Sequence, residues 1–236
     1  RSVFFSSLFY RIWIQIDGDI SFHTLKGKGL LLDVGCNNGR NMQFYFSNGF
    51  IVEGIDVNGQ SVDNASSVGF KVHKGRIENF LHYRLYDIVV LSNVLEHAIN
   101  PKEMLLSVHR VLRPGGKVLI STPNINSWQR FLFGRYWINW HVPFHLYFFS
   151  LTTITNLLHL TGYINIKSAN RSPTLWSAQS FLALLFSRKG EKNYIQRSPY
   201  VLSILFIIIR IILFPILITG NLLNRADCLV IEAQKK

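Results

Sequence analysis

Short apolar runs alternate with stretches of helical spacing along most of the chain, and this alternation predicts the fold. The predicted strands lie at 30–35, 51–57, 70–74, 87–92, 117–122, 163–168 and 228–233. Helix signals occupy 38–47, 60–68, 101–112 and 151–161, where Pro101 and Ser150 are suited to open a helix. Strands that alternate with helices form βαβ units with right-handed crossovers. The pattern therefore predicts an α/β fold, a seven-stranded and mostly parallel sheet with helices on both faces.

Two segments break this rhythm and define the expected domain organisation. Residues 124–149 contain ten aromatic side chains between Trp128 and Phe149, more than a simple connection needs. A hydrophobic helical insertion, 171–226, precedes the last strand and consists of two apolar stretches joined by a basic connector. We expect an N-terminal helical segment over 1–29, a sheet domain over 30–170 and 227–236, and this insertion over 171–226.

The second apolar stretch, 201–218, raises the question of a membrane. It carries one charge, Arg210, in 18 residues, and a helix of that length would reach about 27 Å, close to the thickness of a bilayer core. A single crossing would leave the last strand on the far side from the rest of the sheet. We therefore expect helices that lie in the membrane interface, with the basic connector meeting anionic headgroups. The alternatives are a buried helical cap and a dimer interface.

Charge divides the chain in the same way. Residues 1–103 hold ten basic and ten acidic residues, whereas 104–236 hold fifteen basic and three acidic ones and so carry the whole net charge of +12. A chain that is 48% hydrophobic is not disordered, and its basic half predicts an anionic partner: a membrane surface, a nucleic acid or an acidic substrate. The only cysteines, Cys36 and Cys228, lie far apart, which excludes a disulfide-stapled module and favours a reducing compartment.

A turn with ligand-binding chemistry follows the first predicted strand. Gly35 allows a close backbone approach, Asn37 tolerates positive φ, and Gly39 permits close packing at the start of the next helix. Asp56 ends the second strand, where an acidic side chain can accept hydrogen bonds from both hydroxyls of a ribose. The alternative is an ordinary turn carboxylate. Because the G-x-G-x-x-G fingerprint is absent, the pattern disfavours a dehydrogenase.

These segments together resemble a known family. The sequences LLDVGCNNGR, EGIDVN, YDIVVLSNVLEHAINP and VLRPGGKVLISTPN are similar to those of class I S-adenosylmethionine-dependent methyltransferases, which have a Rossmann-like sheet. The likeness is greatest to the small-molecule branch that includes ubiquinone-biosynthesis O-methyltransferases, and HVPFHLYFFSLTTITNLLHLTGY is also similar to that branch. The resemblance runs from about residue 30 to 168 and resumes at 227–234.

The resemblance implies S-adenosyl-L-methionine as the cofactor and assigns its site. The implied cofactor-binding residues are Asp33, Gly35, Cys36, Asn37 and Gly39 around the methionine end, Asp56 at the ribose, Val57, Arg76 and Ile77 at the adenine, and Ser92 and Asn93 beside the sulfonium. The chain departs from the family at Asn37, where a glycine is usual. It also departs at Arg76, where an acidic residue is frequent.

A hydroxyl acceptor needs a base with a pKa near neutral, and histidine fits that requirement. The catalytic candidates are His97 after the fourth strand and His141 and His145 after the fifth. Each has a structural alternative, and for His145 an anchoring role is slightly favoured. At the position of His97, some enzymes of this branch have a sequence that resembles a metal site of type E-x-x-E-H. Because Asn93 replaces the first glutamate, no metal is expected.

The function expected from these observations is methyl transfer, with O-methylation of a small or lipid-linked acceptor at an anionic membrane surface. The location would be cytoplasmic, peripheral to or embedded in the inner face of a membrane. One alternative is a nucleic-acid methyltransferase, which the sequence Leu91-Ser92-Asn93-Val94 disfavours because it lacks the N-P-P-Y type of motif. Another is a non-catalytic membrane-binding module with the same fold. An oligomer is left open.

Overall fold

The core of the protein is a sheet, seen in a computed structural model that describes residues 19–80, 84–186, 208, 211–212, 214–215, 217 and 219–236. Within these residues seven strands form one sheet in the order β3-β2-β1-β4-β5-β7-β6. The strands are β1 (Leu30–Val34), β2 (Ile51–Asp56), β3 (Lys71–Lys74), β4 (Tyr86–Ser92), β5 (Leu112–Pro123), β6 (Tyr163–Arg171) and β7 (Cys228–Lys235). The predicted seven-stranded α/β architecture is confirmed.

Strand pairing shows where a ligand can bind. β1 pairs in parallel with β2, Leu31 opposite Val52, and with β4, Leu31 opposite Ile88. The chain moves outward from β1 through β2 to β3 and then returns to the other side of β1 with β4. In open α/β sheets this reversal of strand order opens a crevice at the carboxyl ends of the two central strands, where ligands bind. The turns after β1 and β4 are therefore the first candidates for a site.

The last strand runs against its neighbours. Lys117 Nζ, in the first half of β5, lies 2.9 Å from Glu232 Oε1 near the end of β7. Asn165 Nδ2, near the start of β6, donates to Gln234 Oε1 at 2.8 Å. The end of β7 thus lies beside the beginnings of β5 and β6, so the sheet is mostly but not wholly parallel, as predicted.

The helices follow the predicted spacing closely. They are α1 (Arg40–Ser47), α2 (Gly59–Ser67), α3 (Pro101–Val111), α4 (Trp128–Phe133), α5 (Leu151–Leu160) and α6 (Thr174–Phe186). The Asn100 side chain caps α3 by accepting from the backbone N–H of Glu103, and Pro101 occupies the first turn, where a missing N–H costs nothing. Ser150 and Thr153 form a reciprocal capping box at α5. The helix starts predicted at Pro101 and Ser150 are confirmed.

β5 departs from the prediction at its beginning. The strand starts at Leu112, directly after α3, and not at 117. Leu112 is buried and lies opposite Tyr86, whereas Lys117 lies opposite Ile88, so the intervening residues are accommodated as an irregularity in the register. The Arg-Pro-Gly-Gly sequence does end the helix. It does not delay the strand, because burial of Leu112 against the sheet outweighs the local turn preference.

Alternation along the strands gives the sheet a core on each face. Leu31 and Val90 belong to the cluster that packs around Met42 and Tyr45 of α1. Their chain neighbours Leu32, Val89 and Leu91 belong to the opposite cluster, which contains Leu105 and Val108 of α3 together with Ile154 and Leu158 of α5. Successive side chains of a strand point to opposite faces. A run of consecutive apolar residues is therefore what a strand covered on both faces requires.

The chain divides into two compact units. The sheet unit comprises 19–122, 146–169 and 229–236, and the helical unit includes the described residues of 123–145 and 170–228. The predicted boundaries placed 124–145 with the sheet domain, and the structure corrects this. Asp227 explains the grouping, because its buried carboxylate accepts from Trp137 Nε1 at 2.7 Å and from Asn139 Nδ2 at 3.2 Å. These bonds join the aromatic segment to the end of the insertion.

The predicted N-terminal helical segment is wrong over 19–29, where the structure has turns and extended chain. The Asp19 carboxylate accepts from the backbone N–H groups of His23 and Thr24, which closes a turn. A short acidic side chain that competes in this way for backbone donors favours turns over helices. Residues 1–18 lie outside the described residues.

The insertion contains helices on both sides of its basic connector. α6 lies in its first apolar stretch, and helical residues occur between 208 and 222 in the second. The connector, and most of the predicted apolar stretch 201–218, lie outside the described residues. Among the residues that the structure describes, no helix is both long enough and apolar enough to cross a membrane.

Candidate active site

The turn after β1 has the backbone conformation that its sequence predicts. Gly35, Asn37 and Gly39 have φ values of 70°, 49° and 77°, a region that glycine and asparagine enter most readily. The N–H groups of Gly35 and Cys36 both donate to the carbonyl of Ile55, at 2.8 and 3.3 Å. A Cβ added at Gly35 would fall 2.7 Å from Val94 Cγ2. The glycine thus keeps the turn close to β4 and leaves its backbone exposed to the cleft.

Asp56, at the end of β2, holds this turn. One carboxylate oxygen accepts from the Asn37 N–H at 2.8 Å, and the other accepts from the Asn58 N–H at 2.8 Å. A carboxylate oxygen has two lone pairs, so each oxygen can still accept a hydroxyl. Asp56 is therefore a turn carboxylate, which was the alternative to ribose binding. Its remaining lone pairs are nevertheless the acceptors that the two hydroxyls of a ribose require.

Asp33 is the buried charge of the site. Its side chain is 1% exposed, and Oδ2 has no hydrogen-bond partner among the described residues. Burial, followed by repulsion from Asp56, raises the pKa of Asp33 to about 8. A cationic ligand group would satisfy the orphan oxygen and restore the ionised form. The ammonium of an amino-acid-type cofactor fits this requirement.

Gly35 and Asp56 line a cleft in the sheet unit. Its lining residues include Val34, Gly35, Ile55, Asp56, Val57, Gly75, Arg76, Ile77, Glu78, Val94, His97, Ala98, Ile99 and Met104. The cleft thus brings together six of the predicted residues: Gly35, Asp56, Val57, Arg76, Ile77 and His97. Ile77 is buried, whereas Val57 is largely exposed. Two apolar side chains in one cleft with a diol acceptor suit a nucleoside whose base lies against them.

The other predicted cofactor residues lie at the carboxyl ends of β1 and β4 without lining the cleft. Cys36 is buried, and burial raises its thiol pKa to about 12. The hydroxyl of Ser92 donates to the carbonyl of Ile20 at 3.3 Å and accepts from Ser121 Oγ at 3.2 Å. Asn93 follows with a φ of 54° and donates its N–H to the carbonyl of Ser121. Segment 19–25 therefore contacts the end of β4, which sequence reasoning missed.

The three candidate histidines do not share one unit. His97 lines the cleft at the end of a 3₁₀ turn, Leu95–His97, whose last N–H donates to the Val94 carbonyl. His141 and His145 belong to the helical unit. Nδ1 of His145 lies 2.7 Å from the carbonyl oxygen of Asn139, so this nitrogen carries a proton and anchors the ring. Of these three histidines, His97 is among the described residues that line the cleft with Asp56.

Glu96 is a further ionisable group that the sequence prediction missed. It is 1% exposed, and Oε2 accepts from Thr122 Oγ1 at 3.0 Å, while Oε1 has no hydrogen-bond partner among the described residues. Burial raises the pKa of Glu96 to about 7. The available signal was its place after β4 beside His97. Nothing in the sequence indicated that the side chain points inward.

Comparison with known proteins gives a family and several relatives. A family model described as "Methyltransferase domain" matches residues 20–168. The ubiquinone biosynthesis O-methyltransferase of Coxiella burnetii strain RSA 493 is 32% identical over 115 residues, covering 44% of this chain and 47% of the relative. That of Rickettsia felis is 33% identical over 100 residues, covering 40% and 41%. The chain thus spans about half the length of the curated relatives it matches.

Solved structures show the same fold. A S-adenosylmethionine-dependent methyltransferase from Archaeoglobus fulgidus aligns with a TM-score of 0.59 at 18% identity and covers 97% of this chain and 100% of its own. A Haemonchus contortus phosphoethanolamine N-methyltransferase 2, solved with S-adenosyl-L-methionine, has a TM-score of 0.59 at 18% identity, covering 96% of this chain and 51% of its own. At this identity the likeness concerns the fold alone, and it confirms the Rossmann-like architecture.

Proposed function

Because this chain belongs to the methyltransferase domain family, we propose that it transfers a methyl group from S-adenosylmethionine to the oxygen of a small or lipid-linked acceptor at a membrane surface. Family membership confirms the predicted enzyme class and cofactor. The acceptor, the site residues and the membrane location are the parts proposed here.

The observation that carries the proposal is the fit between the cleft and the cofactor. Asp56 would bind the ribose hydroxyls, and Val57 and Ile77 would flank the adenine, since all three line one cleft. Asp33 would pair with the ammonium of the methionine end, because its buried Oδ2 has no hydrogen-bond partner among the described residues. Gly35, Asn37 and Gly39 would present the backbone of the turn to the same end. These residues lie at or after the carboxyl ends of β1, β2 and β3, which are neighbouring parallel strands of the sheet.

The bound cofactor would supply an electrophilic methyl group, and the protein would supply orientation and a base. His97 is the candidate base, because it alone of the three predicted histidines lines the cleft with Asp56. Its imidazole would take the proton from the acceptor hydroxyl as the methyl group is transferred. His145 would position the aromatic segment through its bond to Asn139, and His141 would lie beside it, with ring centroids 5.0 Å apart.

O-methylation is proposed on the names of the curated relatives, which are ubiquinone biosynthesis O-methyltransferases. A membrane location is supported by the apolar insertion and by the positive charge of residues 104–236. Cys36 and Cys228 are both buried thiols that form no disulfide, in keeping with a reducing compartment at the inner face of a membrane.

Two measurements test this function. The first is calorimetric titration with S-adenosylhomocysteine, which should bind to the wild-type protein and lose affinity in Asp56→Ala. The second is transfer of a labelled methyl group into lipid and water-soluble extracts. Label is expected in a phenolic or other hydroxylated component, and the rate should fall about 10²- to 10⁴-fold in His97→Gln. No cofactor binding, or label only in nucleic acid, would overturn the proposal.

The His97 variant needs a readout that a structural role would not change. A general base predicts that the rate of methyl transfer by the wild type rises with pH. In His97→Gln this dependence should disappear while the affinity for S-adenosylhomocysteine remains. If the pH profile persists in the variant, the base lies elsewhere.

A further inference from the structure

We propose that the helical unit carries a surface that docks on anionic phospholipid bilayers, inserting apolar side chains between headgroups that its arginines bind. This inference rests on the membrane location proposed above. It concerns α4 and the described helical residues between 208 and 222. The two segments together are named the docking surface.

The first observation is a helix whose exposed side is apolar. Ile211, Ile212 and Leu222 are 69%, 66% and 75% exposed, whereas Leu217 and Gly220 are buried. At 100° per residue, Ile211 and Leu222 fall on the side opposite to Leu217. A helix in water normally turns charged or polar residues outward. Here most of the described outward positions are apolar, and Thr219 is the polar residue among them.

The second observation is that α4 extends this surface. Phe131 and Leu132 are exposed, and the helix is tied to the end of the 208–222 segment at its first residue. The Trp128 N–H donates to the carbonyl of Arg225 at 3.1 Å. The absence of a side chain at Gly220 makes room for the Trp128 indole, which a Cβ there would strike. The two segments are thus in contact at Trp128 and Gly220, and each carries exposed apolar side chains.

The third observation is the sign of the charge beside these apolar groups. The described basic residues of the helical unit are Arg130, Arg135, Arg171 and Arg225, and its only described carboxylate is Asp227, which is 0% exposed. The Arg130 guanidinium lies 4.2 Å from the centroid of the Phe131 ring. An aromatic residue beside a cation is suited to the boundary between acyl chains and headgroups. The charge is thus complementary to anionic lipid.

The same charge argues against a second copy of the chain as the occupant. A symmetric dimer brings the same patch of both subunits together, which would set these arginines against one another with no described carboxylate exposed to neutralise them. Like charges placed opposite each other in an interface are unfavourable. A bilayer of anionic phospholipid supplies both the apolar layer and the counter-charges.

The mode of binding follows from the residues that the docking surface exposes. Apolar side chains beside arginines suit a surface that lies in the plane of the membrane interface. The apolar side chains would then reach only the headgroup and upper acyl region. Removal of one arginine should affect anionic vesicles selectively, since each such charge near the surface changes binding about fivefold.

The test is sedimentation of the protein with vesicles of phosphatidylcholine, alone or mixed with phosphatidylglycerol. The wild type should bind the mixed vesicles more tightly. The double variant Ile211→Ser/Leu222→Ser should lower that binding about tenfold or more, and Arg135→Gln about fivefold. The matched controls are Leu160→Ser, an aliphatic side chain 73% exposed on α5, and Lys167→Gln, an exposed charge on β6. Both controls should bind like the wild type.

Cofactor binding separates failure of this inference from failure of the proposed function. Every variant should retain its affinity for S-adenosylhomocysteine, which also reports that the sheet unit is folded. If the cofactor binds and no vesicles do, the docking inference fails and the methyltransferase assignment stands. Equal binding to both kinds of vesicle would overturn the role of the arginines. A dimer that dissociates in the double variant, without vesicle binding, would identify a second copy as the occupant.

Discussion

Cofactor binding should release a proton from Asp33 at neutral pH. In the cofactor-free protein, burial and the neighbouring Asp56 raise the pKa of Asp33 to about 8. At pH 7 the carboxyl group is then about nine-tenths protonated, and ionising it costs about 1.4 kcal/mol. An ammonium group held against Oδ2 would favour the carboxylate. Binding should therefore release about 0.9 proton from this group at pH 7.

Calorimetric titration with S-adenosylhomocysteine measures this quantity directly. The observed enthalpy at pH 7 is measured in buffers with different ionisation enthalpies, and its slope gives the number of protons released. The affinity should also increase about tenfold between pH 6 and pH 7, since one proton is lost on binding across that interval. Asp33→Asn keeps the shape of the side chain and cannot ionise. It should abolish both effects.

The same variant should bind the cofactor more weakly. Breaking a buried charge pair costs about 3–5 kcal/mol, and the variant no longer pays about 1.4 kcal/mol to ionise the acid. The net loss of about 2 kcal/mol or more corresponds to about thirtyfold or more in Kd. The reasoning is refuted if the wild type and Asp33→Asn release the same number of protons. Circular dichroism of both proteins checks that the fold is retained.

Further predictions concern the turn, the ribose site and the thiols. Asp56→Ala should weaken cofactor binding about a hundredfold, since two hydrogen bonds to a charged acceptor are worth about 1.5–3 kcal/mol each. The control Asp63→Ala, an exposed change on α2, should leave cofactor affinity unchanged. Equal losses of affinity in the two variants would contradict the ribose assignment. Gly35→Ala should unfold at lower temperature than Gly69→Ala, because both have positive φ but only the first brings a Cβ to 2.7 Å from Val94; equal melting temperatures would contradict the steric argument. Because burial raises the pKa of Cys36 to about 12, a disulfide reagent should label it only after denaturation, and labelling of the folded protein would count against that burial.

The strands, helix starts and turn that the sequence predicted correctly are those whose signals lie within a few consecutive residues. Consecutive apolar residues such as Leu30–Leu32 predict a strand buried on both faces, and Asn100-Pro101 and Ser150 have side chains suited to begin a helix. The turn after β1 was predicted for the same reason. Gly35, Asn37 and Gly39 are the residue types that adopt positive φ at low cost, and the structure gives all three positive φ.

Tertiary structure decided what distant residues do to one another. The irregular start of β5 depends on Leu112, which lies opposite Tyr86 in the sheet. Local signals alone predict a turn at Pro-Gly-Gly and therefore a later start of the strand. The pairing of Asp227 with Trp137 spans 90 residues of sequence. Through this pairing residues 124–145 group with the helical unit, whereas the prediction placed them in the sheet domain.

The same division holds at the site. The resemblance carried by the segments around Asp33 and Asp56 was sufficient to propose a cofactor, and the residue type of His97 was sufficient to propose a base. They could not show that Asp33 Oδ2 lacks a hydrogen-bond partner among the described residues, that Asp56 already holds two backbone N–H groups, or that Glu96 is buried beside Thr122. Residue type fixes which groups can ionise or accept a hydrogen bond. Burial and the partners brought by other strands set their pKa and what remains free to bind, and these arise only when the sheet assembles.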